Sequence, residues 1–275
     1  MPASPFSDLA GWHDKKGCCW LCSMTPSRIG ENATDAFWRQ EENRLSHWDN
    51  LMRILERDDT LSPIFSMPYF KVECVLIDWL HAVDLGIACD FLGGLFHMLL
   101  PRLGRSQREQ IQSLHLAMKE FYGRTASQHR VDILTYEMII KGKAQTAKFR
   151  AKASEAKGLI PFAVELVEKY CLDPMDVEAA CAKLAAVHLA NCYDCLGRTE
   201  YCYESLNGHA TKFALQYTGL RNYARAHHLK RWGLKPKLHM FMELCSFYGS
   251  PPSLFWTYRD EDFGGQVAML SARRG

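Results

Sequence analysis

The first residues with a chemically useful spacing are Cys19 and Cys22, which form a Cys-x-x-Cys pair. Two thiolates at this separation have the bite that zinc knuckles use, and a structural zinc ion needs four ligands. We predict His47 as the third ligand. The sequence leaves the fourth ligand open among three residues, His13, Cys18 and Cys74. The alternative is a small group of buried thiols in a tryptophan-rich segment.

The second group is Asp78 and His81, at the end of residues 69–78, the most strand-like segment of the sequence. A carboxylate at the end of a buried strand can hold a hard cation through its oxygens. His81, one turn further on, would orient a metal-bound water or a phosphate. In the alternative, Asp78 caps the following helix and His81 is a core histidine. From this motif alone we favour the alternative.

The third group consists of Lys235, Lys237 and His239, followed downstream by Arg259 and Glu261. The two lysines and the histidine lie at a predicted helix start, where backbone N–H groups and cationic side chains suit phosphate. Glu261 lies among other acidic residues, which repel one another unless a cation or an arginine screens them. The alternative is a solvated acidic turn paired with Arg259.

Composition predicts a folded, intracellular protein. Of 275 residues, 48% are hydrophobic and 23% charged, and the net charge of +2 neither requires nor excludes a polyanionic partner. The most apolar window, residues 82–100, contains Asp84 and Asp90, so we predict a buried helix and no membrane contact. Eleven cysteines without a secretory signal pattern indicate a reducing compartment.

The elements that would position these groups are mostly helices. We predict a polar N-terminal Cys/His module over residues 1–60, containing a helix from Asp35 to Arg57, and a second unit over 61–275. In the second unit the strand at 69–78 precedes an apolar helix ended by Pro101 and a helix capped by Ser106. Further helices are predicted at 159–171, 174–196 (opened by Asp173-Pro174), 203–228 and 235–247, with a short one near Trp256.

Taken in order, these motifs resemble the catalytic region of eukaryotic DDE-type transposases, of the CACTA-like and Kyakuja–Dileera–Zisupton-like kind. The likeness covers residues 19 to about 265, nearly the whole chain, and each motif is weak alone. It consists of a Cys-x-x-Cys with a later histidine, an Asp-x-x-His, a Lys-Pro-Lys-x-His and a Trp-x-x-Arg-x-Glu. In this sequence these are Cys19, Cys22 and His47; Asp78 and His81; Lys235, Lys237 and His239; and Trp256, Arg259 and Glu261.

The resemblance implies a partial RNase H-like core, α+β but predominantly α-helical, with a helical insertion over about 102–233. It implies phosphodiester hydrolysis and strand transfer with Mg²⁺ or Mn²⁺ held by carboxylates. Asp78 and Glu261 would be metal carboxylates facing each other, and His81 would act near the phosphate. Lys235, Lys237, His239 and Arg259 would lie along DNA.

The sequence departs from the family pattern because no aspartate upstream of Asp78 lies in a convincing apolar strand. Either Asp84 substitutes, or the front half of a longer ancestor has been lost, and we favour loss. We therefore predict a transposase-derived, nucleic-acid-binding protein with impaired catalysis, nuclear rather than cytoplasmic. The alternatives are an active metal-dependent nuclease and a non-catalytic helical scaffold, and homo-oligomerisation is left open.

Overall fold

The computed structural model describes residues 9, 14, 17–32, 35–57, 61–142, 146–246, 250–258 and 263. Over these residues the fold is predominantly helical, as the sequence predicts. It contains no β-strand in the described ranges, where the single β-bridge, antiparallel, joins Cys22 to Arg44. The helical part of the predicted α+β class is therefore confirmed, whereas the sheet of an RNase H-like core is not.

Eight α-helices and one π-helix are formed in the described part of the chain. They are α1 (His47–Leu55), a π-helix (Leu80–Ala88) that continues directly into α2 (Cys89–Leu103), α3 (Gln107–Thr125), α4 (Ala153–Gly158), α5 (Ile160–Tyr170), α6 (Val177–Gly197), α7 (Tyr203–Ala226) and α8 (Pro236–Cys245). Helices α6 and α7 pack side by side, and α8 packs against both α7 and the π-helix.

The π-helix and α2 together form the central helix of the core. This helix, Leu80–Leu103, is long and apolar enough to cross a membrane, but 89% of its most apolar stretch is buried inside the protein. The prediction of a buried helix is thus confirmed. Close packing requires glycine at Gly94, because a Cβ there would lie 2.4 Å from the Trp232 ring. Pro101 does not end the helix as predicted; it lies in the last turn of α2.

The strand predicted at residues 69–78 is wrong. Val72–Cys74 form a 3-10 turn, and no neighbouring strand lies alongside in the described part of the chain. β-Branched residues favour a strand only when a partner strand supplies hydrogen bonds and a packing surface. Here Tyr69 has a left-handed backbone (φ 65°) and is almost fully exposed.

The predicted helix from Asp35 to Arg57 is also too long. Its first part consists of two 3-10 turns, Phe37–Arg39 and Glu41–Asn43, and α1 begins only at His47. Ser46 sets that start, since its side chain and that of Asp49 cap each other's backbone N–H groups. Among the apolar residues of α1, Trp48 is 71% exposed and only Ile54 is buried.

The later helices agree with the sequence to within a few residues. The predictions at 159–171 and 203–228 correspond to α5 and α7, and Ser106 caps α3 in a capping box with Glu109. The N-cap of α6 is Asp176, which accepts from the Ala179 N–H, rather than Asp173. A 3-10 turn, Pro252–Leu254, precedes Trp256; Tyr258 and Phe263 are helical, and most of the short helix predicted near Trp256 lies outside the described residues.

Candidate metal centre

Cys19 and Cys22 lie in a loop that is held from both sides. The Leu21 N–H points at the Cys19 Sγ at 3.3 Å, a contact that fixes the sulfur within the loop. The Leu45 N–H donates to the Leu21 carbonyl at 3.0 Å, and the bridge between Cys22 and Arg44 fixes the other side. Both cysteines are free thiols and are completely buried. The loop therefore presents two sulfurs in one direction.

Two residues of α8 face this loop. Pro236 starts the helix at its first position, and His239 and Glu243 follow at positions i and i+4, which share one helix face. His239 is completely buried, with its ring edge-on to Trp38 at 5.0 Å between centroids. Glu243 is 5% exposed. The helix thus adds one nitrogen and one carboxylate oxygen to the two sulfurs.

Cys19, Cys22, His239 and Glu243 form a group that could hold a metal ion. Their four ligand atoms all lie within 4.8 Å of one another. His239 Nε2 is 3.2 Å from Cys22 Sγ and 3.4 Å from Glu243 Oε1, and Cys19 Sγ is 3.8 Å from the same oxygen. Four donor atoms that converge at these distances could surround one small cation.

Arg44 supplies the opposite charge at the edge of the group. One guanidinium nitrogen lies 2.7 Å and 2.9 Å from the two Glu243 oxygens. Burial by itself would raise the pKa of Glu243, but His239 and Arg44 lower it to about 2. Burial would lower the pKa of His239, but Cys19 and Glu243 raise it to about 9. The glutamate is therefore held as a carboxylate despite its burial.

The structure brings together only part of the predicted zinc set. His47, predicted as the third ligand, accepts a hydrogen bond from the Val72 N–H at its Nδ1 (3.2 Å), and its ring packs against Phe65. His239, predicted to lie along DNA, occupies the third position, and its complete burial removes it from a DNA-facing surface. Sequence reasoning missed Glu243; its signal was the i, i+4 spacing after His239 in a helix opened by proline.

Asp78 and His81 meet as the sequence spacing suggests. Asp78 Oδ2 lies 2.6 Å from His81 Nδ1 and accepts from the His81 backbone N–H at 2.9 Å, so Asp78 caps the central helix. Its other oxygen accepts from the Thr257 N–H at 2.9 Å. Burial would raise the pKa of Asp78, but these hydrogen bonds bring it below its ordinary value. Three of its acceptor positions are thus in use.

Asp84 lies on the same helix and is completely buried. The hydroxyls of Tyr193 and Tyr258 donate to its two oxygens. Burial raises the pKa of Asp84 to about 7, although the hydrogen bond from Tyr193 opposes the rise. Thr257 and Tyr258 therefore bring the C-terminal segment against both aspartates. Glu261 and Arg259 lie outside the described residues, so the predicted approach of Glu261 to Asp78 stays a prediction.

The two lysines of the Lys-Pro-Lys motif make internal contacts. Lys237 Nζ donates to the carbonyls of His81 (2.7 Å) and Leu85 (3.3 Å) in the π-helix. Burial and the nearby Lys148 lower the pKa of Lys237. Lys235 Nζ pairs with buried Asp90 at 2.5 Å. These contacts attach the start of α8 to the central helix.

Comparisons of the chain with protein-family models, with curated proteins and with solved structures found no match.

Proposed function

We propose that Cys19, Cys22, His239 and Glu243 bind one Zn²⁺ as a structural centre. The convergence of four buried donor atoms is the observation that carries this proposal. In a tetrahedral zinc site with bonds of about 2.0–2.3 Å, neighbouring ligand atoms are about 3.3–3.8 Å apart. The contacts of 3.2, 3.4 and 3.8 Å fit that geometry after small adjustments.

Charge also favours a dication at this position. Two thiolates and the Glu243 carboxylate carry three negative charges, which Zn²⁺ and the Arg44 guanidinium together balance. Burial raises the pKa of Cys19 well above its ordinary value, so a proton or a metal ion has to accompany this sulfur. Zinc binding would release that proton, which makes the affinity dependent on pH.

A structural role is favoured over a catalytic one because the four ligands fill a tetrahedral shell. Catalytic zinc keeps one position open for water or substrate. All four ligand residues are at most 5% exposed. The ion would connect the N-terminal loop to α8, and α8 in turn holds the central helix through Lys237. The function best supported is thus that of a helical protein whose N-terminal loop and α8 are joined by a structural zinc ion.

The zinc content of the purified protein tests this proposal. We expect about one Zn²⁺ per chain, lost in Cys19→Ser and in His239→Gln but retained in Cys74→Ser, whose thiol is exposed. Co²⁺ in place of zinc should give thiolate charge-transfer absorption in the wild type and in Cys74→Ser only. A folded wild-type protein that retains no zinc on purification and gives no thiolate absorption with Co²⁺ would overturn the proposal.

From the motif resemblance we further propose a transposase-derived, intracellular protein, nuclear by that resemblance, whose catalysis is impaired. The hydrogen bonds that occupy Asp78 and Asp84 support impaired catalysis, since they use oxygens that a metal ion would need. DNA binding would rely on exposed cations, including Lys152 and Lys230, more than on Lys235 and Lys237.

DNA affinity measured at several salt concentrations tests the nucleic-acid proposal. Phosphate contacts release counterions, so the affinity should fall steeply with added salt. Lys152→Gln combined with Lys230→Gln should reduce the slope. Binding that is absent, or independent of salt, would remove nucleic acid as the partner.

An active nuclease is the second candidate function, favoured by one observation. Thr257 and Tyr258, which precede Glu261 in the chain, hydrogen bond to Asp78 and Asp84. The test is Mn²⁺-dependent nicking of supercoiled plasmid. Nicking that is lost in Asp78→Ala and in Glu261→Ala, and kept in the surface control Asp132→Ala, would establish catalysis. Nicking that persists in both site variants would exclude this site.

A further inference from the structure

A pair of histidines outside the buried centre joins helices α6 and α7. His188 lies on α6 and His209 on α7, and both side chains are half-buried. Their Nδ1 atoms are 3.3 Å apart, with ring centroids separated by 5.5 Å and ring planes inclined by 39°. The two nitrogens therefore face each other across the interface between the helices.

This separation equals the distance between two nitrogen ligands of a tetrahedral metal ion. Two imidazole nitrogens bound at about 2.0–2.1 Å to a tetrahedral ion are about 3.3–3.4 Å apart. A hydrogen bond between the rings also fits the distance, with one Nδ1 carrying the proton. A metal ion would replace that proton.

Histidine binds metal ions as the neutral imidazole ring. Each histidine offers its Nδ1 at the interface, so an ion between the two nitrogens would have one ligand from each helix.

We propose that His188 and His209 form a second, open metal site for a borderline divalent ion, Zn²⁺, Ni²⁺ or Cu²⁺. Imidazole nitrogen suits these ions, whereas Mg²⁺ and Ca²⁺ prefer oxygen. With two protein ligands the remaining coordination positions would be filled by water. The site is half-exposed, so the ion exchanges readily, in contrast to the buried centre. It would cross-link α6 to α7 reversibly.

Calorimetric titration with Zn²⁺ tests this site on protein that already carries its first zinc. We expect one further ion per chain for the wild type, and loss of this second binding step in His188→Gln and in His209→Gln. The control His129→Gln removes an exposed histidine elsewhere and should keep both steps. Circular dichroism verifies that each variant is folded.

The two metal proposals fail separately. Cys19→Ser should lose the buried zinc and still bind one ion at the histidine pair, which long-range ¹H–¹⁵N spectra of the His188 and His209 rings would report. A folded wild type with no second binding step, or a second step retained in both histidine variants, would overturn the open site. Neither result would bear on the buried centre.

Discussion

Replacing Arg44 by methionine should destabilise the zinc-bound protein more than the zinc-free protein. The guanidinium makes close contacts with both oxygens of Glu243, whose side chain is 3% exposed. Removing one partner of a buried ion pair costs about 3–5 kcal/mol. Because Arg44 itself is 36% exposed, we expect the lower end of this range, about 3 kcal/mol, with zinc bound, where Arg44 balances the one negative charge that the zinc ion leaves on its ligands.

Without zinc, the His239 imidazolium, whose pKa is raised to about 9, still neutralises the Glu243 carboxylate. Only hydrogen bonding is then lost, at about 1 kcal/mol. The difference of about 2 kcal/mol means, by the closed thermodynamic cycle, that folded Arg44→Met binds zinc more than tenfold more weakly than the wild type. Urea unfolding with zinc and with chelator measures the two losses, and chelator competition measures the affinity independently.

The matched control is Arg28→Met, which breaks an arginine–glutamate pair with Glu31 in which both side chains are more than 40% exposed. Exposed pairs of this kind contribute little to stability, and zinc should not change that small loss. If Arg44→Met lost the same stability with and without zinc, and its zinc affinity were unchanged, Glu243 would not be a metal ligand.

Three further predictions concern stability and ligand identity. The pKa of Asp84 is about 7 in the folded protein and 3.8 ordinarily, so between these values the folded protein binds more protons than the unfolded chain. The free energy of unfolding should therefore fall as pH rises from about 4 to about 7. Urea unfolding at several pH values should show a smaller pH dependence in Asp84→Asn. Gly94→Ala places a methyl against the Trp232 ring and should cost about 1–3 kcal/mol in the same assay. The control Gly208→Ala, whose methyl meets open space in α7, should be neutral or stabilising by up to about 1 kcal/mol. Equal effects of the two substitutions would contradict the packing described. His47→Gln should leave the zinc content of the purified protein unchanged, and loss of the ion would return His47 to the ligand set.

Local signals in the sequence predicted the helices well. Ser106 and Glu109 mark the start of α3, and the long apolar periodicity marks α5 and α7, because capping and helical spacing act over a few residues. The strand at residues 69–78 failed for the opposite reason. Its β-branched and aromatic residues favour extended backbone, but a strand also needs a distant partner, which a local pattern does not reveal.

The metal centre was half predictable. Cys19 and Cys22 lie close in sequence, so their spacing alone indicates that they bind the same metal ion. The other half depends on which distant helix packs against the loop. His47 lies nearer in the chain, but its position in α1 directs it to Val72 and Phe65. Only the packing of α8 shows that His239 and Glu243 complete the group.

The sequence separation of the four ligand residues sets an order on biosynthesis. Cys22 precedes His239 by 217 residues, and Cys19 precedes Glu243 by 224. At about 5–20 residues per second, a ribosome needs roughly ten seconds or more between the two halves. Throughout that interval the imidazole of His239 and the carboxylate of Glu243 are not yet available to the nascent thiols. A full ligand shell can close only after α8 emerges, so metal capture would be among the last steps of maturation.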